Sequence, residues 1–216
     1  VEILLLSANG YGIGAQKLVR GMYERAVTAR YLYKHPEEAD DFLAYKRVDD
    51  RKLMNATRDC MPDVLFSPEQ IEQIERDFQD VKERFMIREC SQPDCKGRRL
   101  NHTWSKKDFV SMARESDDLY PLLSYGYYLP TREIHSTVGA IFSRLDANAL
   151  GQDEKLIFDS GSQRARADQA IITAHTILLH ILELQRECFN ISELEPLLQI
   201  LVEDFAAMLD ERRKLR

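Results

Sequence analysis

Apolar residues recur three and four positions apart along most of this chain, and no convincing two-residue alternation interrupts them. That period belongs to amphipathic helices. From Ala15 onward Leu18, Met22, Ala26, Ala29 and Leu32 mark one face, with Arg20, Glu24, Arg25 and Arg30 between them. His35-Pro36 closes this helix, because a residue before proline avoids helical backbone. A second helix opens at Pro36 with Glu37, Glu38, Asp40 and Asp41 in its first turn, as the helix dipole favours. It passes Phe42, Leu43, Tyr45 and Leu53 towards Asp59, and Pro62 breaks the chain. Ser67-Pro68-Glu69-Gln70 is a helix start: Ser caps, Pro takes the first position and Gln the third. The pattern extends this third helix to about Glu89, with Ile71, Ile74, Phe78, Val81, Phe85 and Met86 on one face.

Cys90 to Thr103 reads as a loop, and Ser105 as the cap of a short helix over Lys106–Glu115. The stretch Tyr120 to Leu145 is helical but carries Pro130, which predicts a kink or break near Leu129. Asp146–Arg164 is the most irregular part and the best candidate for a joint between subdomains. Arg166–Cys188 is apolar over more than half its circumference and should be central. Ser192-x-x-Glu195 has the spacing of a capping box, opening a last helix whose seam is Leu194, Leu197, Leu198, Leu201, Phe205 and Met208. About seven helices with short links predict an all-α, multi-helix bundle over residues 1–216 as one domain.

The opening VEILLLSANGYGIGAQ allows two readings. A strand, glycine loop and helix would imitate a phosphate-binding turn, but Gly10, Gly12 and Gly14 give G-x-G-x-G rather than G-x-G-x-x-G, and no suitably placed acid follows. The other reading is a helix whose glycines loosen it or admit a close neighbour.

Composition changes this picture little. A chain of 216 residues, 44% apolar and 31% charged, can bury a sizeable core. A net charge of −6 gives no general attraction to nucleic acid or to an acidic membrane, so a nucleic-acid partner is not indicated on that ground. The short basic runs at 96–99 and 212–216 read as solvated loops or helix ends. No apolar run reaches the ~18 residues that a bilayer-spanning helix requires. Four cysteines make no disulfide framework and fit a reducing, cytoplasmic setting. Nothing in these patterns calls for a cofactor.

Candidate chemistry concentrates in a few places. Tyr127, Thr131 and His135 fall at i, i+4 and i+8, one stripe of a helix flanked by Leu129, Ile134, Val138 and Ile141. Arg20 and Glu24 sit four apart on the first long helix and could meet that stripe inside the bundle. A sealed, fully paired cluster would argue for a structural network; an open one with a free imidazole would argue for chemistry. Arg30-x4-His35 has a spacing that resembles the R-x4-6-H signature of HEPN ribonucleases, in which a guanidinium clamps phosphate and an imidazole moves a proton. A basic helix end is the alternative. Cys90-x4-Cys95 with His102, and Cys60 as a fourth donor, offers soft ligands for zinc, yet lacks the usual C-x2-C knuckle. His175 and His180 are five apart and do not share a face, so they suit packing better than metal binding.

Trp104-Ser105, a short helix ending in MARES, and Tyr127-x3-Thr131-x3-His135-Ser136-Thr137 together resemble a group of bacterial helical proteins of unknown function, DUF5677. That group has a W-S step ahead of Y-x3-S-x3-H-P-S/T. The R-x3-E helix of the same group is matched by Arg20-x3-Glu24, and the resemblance runs from about Leu4 to Leu145. Thr131 keeps the hydroxyl where that pattern has serine, whereas Ser136 replaces the proline after histidine. The resemblance implies an all-α domain without established activity and a shared set of Arg20, Glu24, Tyr127, Thr131 and His135. The function expected from all of this is helix-mediated association, with a second copy or another protein, around a buried polar cluster. The alternative is a HEPN-like ribonuclease or toxin component of a bacterial defence system, using His135, or Arg30 and His35.

Overall fold

A computed structural model of the chain describes residues 1–61, 66–88, 97–135, 137–142, 144–146, 157–158 and 161–214. Among the described residues it contains nine α-helices: α1 (Glu2–Ala8), α2 (Gly12–Lys34), α3 (Ala39–Cys60), α4 (Pro68–Val81), α5 (Phe109–Arg114), α6 (Leu129–Ile134), α7 (Val138–Phe142), α8 (Arg164–Phe189) and α9 (Leu194–Lys214). Strands β1 (Met86–Arg88) and β2 (Arg98–Leu100) pair antiparallel, as do β3 (Leu145–Asp146) and β4 (Ile157–Phe158). The protein is all-α with two minimal hairpin pairings. None of its helices, among the described residues, is long and apolar enough to cross a membrane.

The chain forms two compact units, Val1–Tyr33 with Phe109–Arg216, and Lys34–Asp108. The irregular stretch 146–164 falls within the first of these, and 147–156 and 159–160 lie outside the described residues.

In the second unit a turn of 3-10 helix at Pro36–Glu38 leads into α3. Its partner α4 begins with the expected capping box: Ser67 Oγ accepts from the Gln70 N–H while Gln70 Oε1 accepts from the Ser67 N–H. The helix ends at Val81 rather than near Glu89, since a 3-10 turn at Lys82–Phe85 and then β1 take over. Tightening the turn keeps Phe78, Val81 and Phe85 on one side, where they bury against Tyr45 and Val48 of α3. Arg51 of α3 lies over the Phe78 ring and bonds Glu75.

In the first unit α1 and α2 are separated by a turn at Gly10, whose φ of +80° suits glycine. No strand precedes the glycines, so the phosphate-loop reading is excluded, and close approach is what they provide. A Cβ at Gly12 would lie 2.3 Å from the Ala167 backbone of α8. The Gln163 N–H donates to the Gly10 carbonyl at 3.1 Å.

Along α2, Val19, Tyr23, Ala26, Val27 and Tyr31 are buried. Opposite them the tyrosine-rich stretch is broken into a 3-10 turn (Tyr120–Leu122), one turn of π-helix (Ser124–Tyr128) and α6. Pro130 has no N–H for the carbonyl four residues back, and the widened turn ahead of α6 accommodates its ring. Buried Gly126 rests on Tyr23, where a Cβ would come within 2.7 Å of the ring. The Tyr23 hydroxyl donates to the Leu119 carbonyl at 2.9 Å.

The C-terminal helices depart from expectation. In α8, Ala167, Ala170, Thr173, Ile177 and Leu184 are buried, but Leu178 is exposed. In α9 only Leu198 of the expected seam is buried, and Leu197, Leu201 and Met208 are exposed. The helix turns its Leu198 and Phe205 side to α8, where Phe205 stacks on His175 with ring centres 4.2 Å apart. The Ser192 capping box does not close either: α9 starts at Leu194, and the Glu195 carboxylate pairs with Arg186 of α8 at 2.9 Å.

Gly126→Ala should destabilise the protein by about 1–3 kcal/mol, the usual cost of overpacking a filled site. A urea titration followed by circular dichroism measures this, and an unchanged midpoint would mean that the Tyr23–Gly126 contact is slack.

Candidate functional site

Arg20 lies midway along α2 with its side chain 17% exposed. Its Nε donates to Glu24 Oε1 at 2.9 Å, an i, i+4 pair that the helix sets up locally. The face of the guanidinium covers the Tyr127 ring at 5.0 Å from its centroid. Tyr127 is held in turn by Phe109, with ring centres 4.7 Å apart. Nη1 of Arg20 reaches Nε2 of His135 at 3.3 Å. Arginine has no acceptor, so in this contact the imidazole accepts and the ring proton of the neutral form sits on Nδ1.

Arg20, Glu24, Tyr127 and His135 are therefore brought together. Thr131 is on the same helix but its hydroxyl donates to the Tyr127 carbonyl, one turn back, and not to the cluster. With Pro130 unable to donate in this turn, that bond braces its backbone. Nor is the cluster buried, as the sequence reading had it: the Glu24 side chain is 39% exposed and His135 is exposed. The physical reason is the brevity of α6. It ends at Ile134, leaving His135 as its C-cap at an edge, and Ile134, Val138 and Ile141 beside it also face solvent. The site is open, with the imidazole Nδ1 free of protein partners among the described residues.

The second candidate pair divides. Arg30, only 16% exposed on its side chain, bonds Glu187 of α8 and also Asp118 at 3.1 Å. The two carboxylates and their hydrogen bonds outweigh desolvation and hold its pKa above the usual arginine value. His35 bonds Glu37 through Nδ1 at 3.2 Å. A guanidinium already committed to two carboxylates is a poor phosphate clamp. Neither Asp118 nor Glu187 was singled out from the sequence; they lie 88 and 157 residues from Arg30, and no local spacing could have marked them.

Cys90 and Cys95 lie outside the described residues. His102 is exposed, just beyond β2, and Cys60 is a free, exposed thiol. Among the described residues no three His, Cys, Asp or Glu side chains are grouped to hold a metal ion. His175, whose nitrogens were expected to be satisfied, buries Nε2 without a hydrogen-bond partner among the described residues.

The fold and this arrangement define an all-α domain with an open arginine–glutamate–tyrosine–histidine cluster. The chain belongs to the family of unknown function DUF5677, whose model matches residues 1–153. Comparison with curated proteins finds no match, and comparison with solved structures finds none either. All four clustered residues fall within the matched span, whereas α8 and α9 fall beyond it.

His180 of α8 belongs to that later part and faces the Arg30 pairings. Burial lowers its pKa below the ordinary 6.5; Asp118 opposes the shift and Arg30 adds to it. On acidification the unfolded chain therefore takes up this proton first. Stability from His180 is fully present above about pH 6.5 and declines as pH falls below it, by at most about 1.4 kcal/mol per pH unit. His180→Gln should flatten that part of the stability–pH curve in urea titrations; an unaltered slope would assign it to other groups.

Proposed function

We propose that the Arg20–His135 pair is an acid–base site for a phosphodiester, with single-stranded RNA as its substrate class, in line with the HEPN-like reading of the sequence. One observation carries this: an arginine N–H rests on an imidazole nitrogen at 3.3 Å, and the imidazole is exposed. A phosphate offered to Arg20 is a better acceptor than a neutral imidazole, because both partners are then charged. Moving that N–H onto the phosphate frees Nε2 of His135, which becomes a base beside the bound anion.

In RNA the base would take the proton of a ribose 2′-hydroxyl. The 2′ oxygen then bonds to phosphorus as the bond from phosphorus to the 5′ oxygen breaks. The products are a 2′,3′-cyclic phosphate and a 5′-hydroxyl, protonated by the imidazolium. Glu24 and Tyr127 are positioning residues, the first fixing Nε and the second supporting the guanidinium face. With a net charge of −6 the chain has no broad attractive field, so binding would rest on these local contacts.

Cleavage of an end-labelled single-stranded RNA tests the reading. His135→Ala and Arg20→Ala should each slow it by about 10²–10⁴-fold, the range for removal of a general base. Equal degradation by all three proteins, or none by any, removes the proposal.

Helix-mediated association is a second reading, supported by the outward flank of α9, where Leu197, Leu201 and Met208 are exposed. A few such residues in one stripe suit a second copy of the chain better than water. Light scattering on a size-exclusion column should give a dimer at micromolar concentration and a monomer for Leu197→Glu/Leu201→Glu. A wild-type monomer would sink this reading and leave the first untouched.

A further inference from the structure

We propose that the cleft between the start of α8 and the end of α9 binds a small amphipathic anion, an apolar body ending in a carboxylate or sulfonate. The cleft has a volume of about 410 Å³. That lies within the ~300–1,000 Å³ of ordinary small-molecule sites. Its walls include Ile172 and Leu209, and its polar lining includes Tyr125, Gln169, Arg212 and Arg213.

The chemistry of those polar groups selects the ligand. Arg212 bonds Asp168 and Arg213 bonds Asp210, yet the two arginines line the cleft and the two carboxylates do not. Each guanidinium has five N–H donors, and one carboxylate contact leaves several of them for a ligand. Gln169 accepts through Oε1 from Gln16 Nε2 at 3.1 Å, which leaves its own amide N–H groups as its contribution. The Tyr125 hydroxyl adds a further donor. Donors converge, apolar walls stand behind them, and no carboxylate competes from within the lining. A cation would meet two arginines there, and a neutral hydrocarbon would leave the donors dry and unpaired.

The cleft is separate from the Arg20–His135 cluster, so the proposal stands or falls without the reading given above. Titration of the full chain with 1-anilinonaphthalene-8-sulfonate, an aromatic sulfonate, tests it by fluorescence. The expected result is a saturable signal at one site per chain, displaced by decanoate but not by decylamine. Ile172→Trp, which fills the cleft, should abolish it. Arg212→Ala/Arg213→Ala should weaken it at least tenfold, and exposed Arg213→Ala alone by a smaller factor without affecting folding. Leu197→Ser on the outward flank of α9 should leave it unchanged. No saturable binding, equal displacement by decylamine, or binding insensitive to both Ile172→Trp and the arginine changes would overturn the proposal. Loss in Leu197→Ser would do so too, since the dye would then sit on the open apolar flank.

Discussion

Tyr23 is the residue on which the site depends. Its ring is fully buried on α2, meets Gly126 face to backbone, and takes the edge of Phe109 at 5.9 Å. Its hydroxyl caps the Leu119 carbonyl. Burial, helped by Tyr120 and Tyr128, pushes the phenol well above its usual pKa, so it stays a neutral donor across any physiological pH. One side chain thereby fixes three points of the segment 109–126 against α2. Tyr127 follows Gly126 directly, and His135 follows two turns later, so both reach Arg20 because the segment is pinned just ahead of them. A helix-to-helix contact through glycine brings backbones close, and closeness is what lets a short side chain such as histidine touch an arginine rooted on another helix.

What could be read along the chain, and what could not, divides by distance. The Ser67–Gln70 capping box and the Arg20–Glu24 pair are four residues or fewer in extent, and each forms as its spacing implies. The Ser192–Glu195 box has equally good spacing but fails, because Arg186 offers Glu195 a charged partner. The end of α4 was misplaced because the periodicity of Phe78, Val81 and Phe85 survives a change from α to 3-10 winding. Periodicity places a residue on a stripe, but not against a neighbour. The stripe Leu197, Leu201 and Met208 is helical as expected and still faces outward, since what covers a face depends on the rest of the fold. The imidazole of His135 was placed on the correct flank for the same reason that its exposure was not foreseen: exposure is decided by where α6 stops.

The family match ends at residue 153, yet the first unit does not end there. Gly12 fits against the Ala167 backbone, Gln16 bonds Gln169, and Arg30 bonds Glu187. Three residues on α2 thus find their partners on α8. The matched portion carries the clustered polar groups, and the later helices supply packing and countercharge to the same α2 that presents Arg20. Chemistry and support are drawn from different parts of the chain, and α2 is the element they share.

The single turn of π-helix at Ser124–Tyr128 has a mechanical meaning beyond accommodating a proline. Five consecutive residues there send Tyr125 to the α8–α9 cleft, Gly126 to Tyr23 and Tyr127 to the underside of Arg20. A wide turn stores one residue of slack relative to an ordinary helix. Rewinding it would rotate every one of those residues by roughly a third of a turn. The cleft wall and the platform beneath the arginine would shift in concert, as two teeth on one cog.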